Sequence, residues 1–383
     1  METASIVAVL VLCGFILYVL FAYPIILGII AKRRARPVRH AAFHPFVSIV
    51  IAVRDGERFI REKLESILAL DYPRHLMEII VVSDGSTDRT DEIATSFSGD
   101  GVRLLRVPAG GKSAALNAGI AAASGEILVL TDVRQELAPD SLTFLMQNFA
   151  DPEVGAASAE LVIQRGETQA EAQTGLYWKY EFAIRLKLSA IDSIFGATGA
   201  YYGLRRELAV PIPRDALLDD MYLPLAAFFR GYRLVVDPRA RMFDHPTGLR
   251  SEFLRKVRTL AGNYQIMRWY PVILTRGNRM LFHFVSYKLA RLLLPFAMLG
   301  ILIVSFGLPA PAAGIIIALQ LAFYGAALAD LVVPEGNLKR LTSPVATFVI
   351  LMAAALCAIS VFIVPSAKLW SPTRVSPAQT ESE

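Results

Sequence analysis

The sequence predicts an α/β domain on a parallel sheet, attached to four membrane-spanning helices. Three observations carry this expectation. The 383 residues are 54% hydrophobic yet 19% charged, with a mean hydropathy of +0.46; this is too apolar for a purely soluble chain and too charged for one lying wholly in lipid. Span-length apolar runs lie at the two ends and leave a long polar middle. Within that middle, short β-branched runs alternate with helical spacing, the pattern of strands joined by crossover helices.

The first apolar run, residues 5–31, is uncharged and long enough to cross a hydrocarbon core. Lys32, Arg33, Arg34 and Arg36 follow it, which places that end in the cytoplasm. No basic stretch precedes the run and no small-residue cleavage site follows, so a signal anchor is expected rather than a cleaved leader. Pro24 is expected to kink the helix. Further spans are expected at residues 284–306, 310–333 and 345–364, with Lys339 and Arg340 again on the cytoplasmic side and both termini outside. Lys288 and Arg291 are expected to snorkel to headgroups. The tail after Pro365 reads as disordered.

The expected domains are a first helix over 1–35, a cytoplasmic α/β domain over 36–250, an amphipathic interfacial segment over 251–280, three helices over 281–366 and a tail over 367–383. The net charge of +5 is modest. Its cations cluster beside apolar segments, which points to membrane lipids and away from nucleic acid. Cys13 and Cys357 lie in apolar runs without metal-binding or disulfide spacing, and are expected to be buried thiols.

In the middle segment, residues 46–53 read as a buried strand. Arg54-Asp55-Gly56-Glu57 breaks it, and residues 59–70 have helical spacing. Strands follow at 78–82, 102–107 and 126–130, with helices at 88–96 and 112–123 between them. Beyond Asp151 the pattern loosens. A strand is expected at 154–163, helices at 168–188 and 217–229, a small-residue loop at 196–200, and a basic amphipathic helix at 253–270 of the kind that lies in a membrane interface.

Acidic residues stand where apolar runs hand over to loops, the ends at which open α/β sheets bind ligands. Asp84 precedes Gly85 and suits a nucleobase or ribose; the alternative is a cap on the helix beginning near Thr87 or Asp88. Asp132 has the same placement, and a carboxylate beside a diphosphate commonly holds Mg2+ or Mn2+. Asp219 and Asp220 are candidates for a general base, against the alternative of acids stabilising a helix N-terminus. Gln265, Arg268 and Trp269 combine an amide, a phosphate-binding fork and a stacking ring; an interfacial anchor is the alternative. Lys112 and Arg134 could also meet phosphate.

Together these residues resemble glycosyltransferase family 2, in its membrane-embedded branch of cellulose, chitin and hyaluronan synthases. The resemblance runs over residues 47–295. It rests on the opening strand through Asp55, on Ser83-Asp84-Gly85-Ser86-Thr87-Asp88, on Gly111-Lys112 with Ala115-Leu116-Asn117, on Asp219-Asp220, and on Gln265-Ile266-Met267-Arg268-Trp269. It implies a GT-A type, Rossmann-like fold, an inverting mechanism, a UDP-sugar donor and a divalent metal, Mg2+ or Mn2+. Asp220 would be the base, with Asp219 beside it. Asp55, Asp84, Lys112, Asp132, Gln265 and Arg268 would bind the donor, Trp269 and Gly199 the acceptor, and Asp132 the metal. The family's Asp-any-Asp motif reads Asp132-Val133-Arg134 here, so an arginine stands in the second acid's place.

The resemblance implies an enzyme of the inner or plasma membrane whose cytoplasmic domain extends a cell-surface polysaccharide. The alternative is a single addition to a lipid-linked or membrane acceptor. A third reading, from another class and motivated by Arg134, is a non-catalytic membrane scaffold or sugar-binding module. Four spans are few for a polymer channel, so the alternatives are a homo-oligomer, export partners, or a chain that does not translocate its product.

Overall fold

The computed structural model describes residues 2–163, 169–244, 249–334 and 336–369. Among them the chain divides into a sheet unit, residues 31–163 and 182–244, and a helical unit, residues 2–30, 169–181, 249–334 and 336–369.

The sheet unit carries eight strands: β1 (Val47–Val53), β2 (Met77–Asp84), β3 (Val102–Val107), β4 (Ile127–Thr131), β5 (Glu136–Leu137), β6 (Val154–Ile163), β7 (Tyr201–Arg205) and β8 (Arg233–Asp244). Their order is β3-β2-β1-β4-β7-β6-β8-β5. The first four are parallel, as their continuous apolar runs predict. The rest of the sheet corrects the all-parallel expectation. β7 is antiparallel to β4 and β6, β8 is parallel to β6, and β5 is antiparallel to β8. β7 follows the helix Gln169–Ile191 and re-enters the sheet at the carboxyl end of β4, where the Asp132 N–H meets the Ala200 carbonyl, so it runs back along β4 antiparallel.

One face of the sheet packs on the helices Ile60–Leu68, Thr90–Ser96 and Ser141–Gln147, the last of them against β6, β7 and β8. Ile60, Leu64 and Ile67 meet Ile49, Ile51, Ile79, Val81 and Val129 in one core. Each such fully buried side chain contributes about 1.5–3 kcal/mol. The other face packs on the helix Lys112–Ala122. Gly119 lets it lie flat, because a Cβ there would stand 2.4 Å from Val50. Both faces are thus covered, and the loops at the carboxyl ends of β1, β2 and β4 remain to form a site.

Among the described residues, four helices are long and apolar enough to cross a membrane: Glu2–Arg33, Leu281–Ser305, Ala310–Ala329 and Asn337–Phe362. The expected spans are thereby shifted by a few residues. A π turn, Tyr18–Ala22, precedes Pro24; it relieves the clash between the proline ring and the carbonyl of Leu20. Within the helical unit Tyr18 and Ser286 share a hydrogen bond of 2.7 Å. Arg291 forms an ion pair with Glu181 and lies 5.0 Å from the Tyr287 ring. That pairing replaces the expected snorkelling of Arg291, because a carboxylate within the fold satisfies the guanidinium. Cys13 is half-buried and Cys357 exposed, contrary to the expectation of buried thiols; both lie on outer faces of span-length helices. The tail from residue 370 lies outside the described residues.

Candidate active site

Loops following β1 and β2 interlock. Asp55 adopts φ +49°, a left-handed conformation that aspartate tolerates better than most residues. Its Oδ1 accepts hydrogen bonds from the Thr87 N–H at 2.8 Å and the Thr87 hydroxyl at 3.2 Å. Asp84 is buried at the end of β2 and accepts the N–H groups of Gly110 at 2.7 Å and Gly111 at 2.9 Å. The helix after this loop starts at Thr90, and Asp88 accepts that residue's N–H at 3.0 Å. Asp84 therefore caps no helix at this turn; it ties the β2 end to the glycine loop ahead of Lys112. Gly111 takes φ +85° there.

Lys112 opens the helix Lys112–Ala122. Its Nζ stands 2.9 Å from Asp132 Oδ1 and 3.4 Å from Asp219 Oδ1. Burial acts against its charge, but Asp132 and Asp219 outweigh burial and raise the ammonium well above the usual lysine range. Asp132 follows β4 directly, and its N–H donates to the Ala200 carbonyl at 3.2 Å. Asp219 and Asp220 open the helix Asp219–Phe229. The Asp220 carbonyl accepts the Ala197 N–H at 2.7 Å, so the loop over residues 196–200 runs alongside it. A Cβ at Gly199 would lie 2.8 Å from Asp220 Oδ2.

The structure thus brings Lys112, Asp132 and Asp219 into direct contact, with Asp220 and Gly199 adjoining. Asp55 and Asp84 stand at neighbouring strand ends in the same unit. Gln265 (buried), Trp269 (half-buried) and Arg268 (exposed) occupy the last turns of the helix Leu249–Trp269, in the helical unit.

Arg134 is committed elsewhere. Its guanidinium lies 2.6 Å from Asp244 Oδ2, which also accepts the Gln135 amide at 2.9 Å. The arginine in the second acid's place therefore leaves the Asp132 carboxylate to Lys112. Among the described residues no three His, Cys, Asp or Glu side chains are grouped to hold a metal. Asp132, 37% exposed at its side chain, offers one carboxylate of the hard-oxygen kind that Mg2+ and Mn2+ take together with substrate phosphates.

Three residues escaped the sequence reading. Lys63 is 1% exposed. Its Nζ donates to the Thr131 hydroxyl at 2.8 Å and the Gln135 carbonyl at 2.7 Å. Burial pushes its ammonium down to about 7, opposed in part by Asp132 and Glu136. The available signal was spacing, since position 63 lies on the helix face marked by Ile60, Leu64 and Ile67. Tyr202 pairs across from Leu130, which puts it on the sheet face of Asp132. Burial, then Asp219, Asp220 and Asp132, raise its phenol well above the usual range, so it stays protonated. Strand alternation would have found it had β7 been recognised. Asp244, 110 residues from Arg134, carried no local signal.

Residues 48–210 match the family model for glycosyl transferase family 2. A beta-monoglucosyldiacylglycerol synthase of Nostoc sp. is 33% identical over 124 residues, covering 31% of this chain and 26% of the relative. A poly-beta-1,6-N-acetyl-D-glucosamine synthase of Staphylococcus aureus is 24% identical over 229 residues, 58% of this chain and 55% of the relative. The chain therefore spans about half the length of these curated relatives, or less. A solved mannosyltransferase of Pyrobaculum calidifontis, in complex with GDP-Man and Mn2+, superposes with a TM-score of 0.72 at 23% identity, over 93% of this chain and 99% of its own. That likeness is one of fold, and it bears out the expected GT-A class.

Proposed function

We propose, from a chain that carries a glycosyl transferase family 2 domain over residues 48–210, that this protein is a membrane-bound inverting glycosyltransferase. It takes the sugar of a nucleotide-activated donor, read as a UDP-sugar, and adds it to a growing cell-surface polysaccharide. The observation that carries this reading is the contact of Lys112 with both Asp132 and Asp219, beside Asp220, at the carboxyl end of the parallel strands. Asp220 is assigned the general base. It takes the proton of the acceptor hydroxyl as that oxygen attacks the anomeric carbon and the nucleoside diphosphate departs. A positioned carboxylate in this role is worth on the order of 10² to 10⁴ in rate.

Asp55 and Asp84 are assigned to the nucleoside, Lys112 to the diphosphate, and Gly199 to the space left for the acceptor. Gln265, Arg268 and Trp269 are assigned to the diphosphate and the acceptor end, as the family resemblance implies. Asp132 is the residue that would hold Mg2+ or Mn2+, with the remaining oxygens coming from the donor. When bound, such an ion neutralises charge on the leaving diphosphate. The fold neighbour holds GDP-Man with Mn2+, which supports a nucleotide-sugar donor for this chain.

Four helices of span length support an integral membrane protein, with the sheet unit on the cytoplasmic side by the charges that follow the first helix. The division into an anchor over 1–35, a catalytic domain over 36–250, an interfacial segment over 251–280 and three helices over 281–366 belongs to the same proposal.

A second reading is favoured by the Nostoc relative, whose name describes the making of a glycolipid. It is a single addition to a membrane lipid. One experiment tests both. The purified full chain is given a panel of nucleotide sugars, with and without Mg2+ or Mn2+, and the products are sized by mass. A ladder of lengths supports the polymer reading, and one added sugar supports the second. No transfer from any donor in the panel would count against both and favour a non-catalytic scaffold.

A further inference from the structure

We infer that Lys63 is a positioning residue for the transfer site: one buried ammonium that braces both the loop bearing Asp132 and the loop bearing Gly199. The inference rests on the proposed function for what the loops do, but the brace itself is a matter of geometry. Lysine is almost never fully buried unless paired. At 1% exposure, Lys63 has no carboxylate within ion-pair distance among the described residues; its partners are a hydroxyl and a carbonyl.

Those partners flank the loop. Thr131 ends β4 immediately before Asp132, and Gln135 stands three residues after it. Two N–H groups of a single ammonium thus hold both ends of the 132–134 turn. The Thr131 hydroxyl, accepting from Lys63, donates onward to the Ala200 carbonyl at 2.7 Å. The Asp132 N–H reaches the same carbonyl at 3.2 Å. Ala200 adjoins Gly199, whose main chain lies against Asp220. The sequence Lys63 to Thr131 to Ala200 is a buried relay, and a charged donor at its head polarises the bonds that follow. A methionine would fill the same space and supply no donor. What the ammonium adds is direction, with donors aimed at two separate chain segments.

The test uses the full chain in lipid nanodiscs with Lys63→Met, Thr131→Val and Thr131→Ser. Backbone hydrogen exchange is followed over residues 131–136 and 196–200, together with turnover and the affinity for UDP as a probe. In Lys63→Met, exchange should rise in both segments together. Turnover at saturating donor should fall roughly 10- to 100-fold, as expected of ångström-scale misplacement. UDP affinity should stay within about twofold, because the nucleoside-side residues are not in contact with the brace. The melting temperature should not fall, since a buried charge without a carboxylate partner has been removed.

Thr131→Val should reproduce the turnover loss with the ammonium intact, and Thr131→Ser should restore most of it. Unchanged exchange in both segments, or an equal loss in Thr131→Ser and Thr131→Val, would overturn the inference. If Lys63→Met does not fold, the two Thr131 variants decide it. If the parent chain transfers no sugar, the functional reading fails while exchange still judges the brace.

Discussion

The main chain at Gly199 passes so close to Asp220 that a Cβ on residue 199 would stand 2.8 Å from Oδ2 and 3.2 Å from Cγ of the carboxyl group. A real Cβ does not occupy that distance, so either the loop or the carboxylate must move. Gly199→Ala is expected to lower turnover about 10- to 100-fold, the scale of a misplaced reacting group, with little change in donor KM. Steady-state kinetics on purified protein check this. Parent-like turnover would mean that the position of Asp220 is not critical.

Asp220→Asn keeps the shape of the side chain and removes its basicity. Turnover should drop on the order of 10² to 10⁴, while nucleotide binding by calorimetry stays near that of the parent. Unchanged turnover would remove Asp220 as the base.

Asp84→Ala separates a structural tie from a donor contact. The carboxylate accepts two main-chain N–H groups, from Gly110 and Gly111, and hydrogen bonds to a charged group are worth roughly 1.5–3 kcal/mol each. The variant should melt several degrees lower and also lose UDP affinity. A lower melting temperature with UDP affinity intact would confine Asp84 to the structural role.

Lys112→Met leaves Asp132 and Asp219 without the ammonium that now touches both. Donor KM should rise about tenfold or more, corresponding to one charge-assisted contact of roughly 1.5–3 kcal/mol. Added Mg2+ should recover part of the loss. A KM titration with and without the ion is the check, and a variant indifferent to both would contradict a diphosphate role.

Stability should depend on pH through Lys63. Its ammonium is held down to about 7 in the folded chain, against 10.5 when unperturbed. Between those values the unfolded chain binds more protons than the folded one, so stability rises with pH. The penalty for the buried charge is fully present below about 7 and gone above the unfolded value. The total rise is on the order of a few kcal/mol. Melting temperatures from pH 6.5 to 9.5 should climb more steeply for the parent than for Lys63→Met; equal slopes would refute it.

The parallel half of the sheet was legible from residue order because each of its strands is a short apolar run, and burial on both faces leaves no choice of residue type. β1, β2, β3 and β4 were therefore found within about two residues, and the four span-length helices were found with ends displaced by up to eight residues. β7 and β8 were not. Tyr201–Arg205 and Arg233–Asp244 mix aromatics and charges, and their pairing with β4 and β6 depends on partners far along the chain. Asp84, Asp132, Asp219 and Asp220 stood out because strand ends and helix starts are local features.

What each of those acids meets was decided only by the tertiary structure. Arg134 looked like a cation aimed at the Asp132 site until Asp244, 110 residues on, proved to hold it. Lys63, on the apolar face of its helix, showed no role until packing closed over it and gave its ammonium two acceptors. Local order along the chain determines which segments become strands, helices and turns, because those depend on neighbours within a few residues. Ion pairs, buried donors and close main-chain contacts depend on distances that exist only after the chain has folded back on itself.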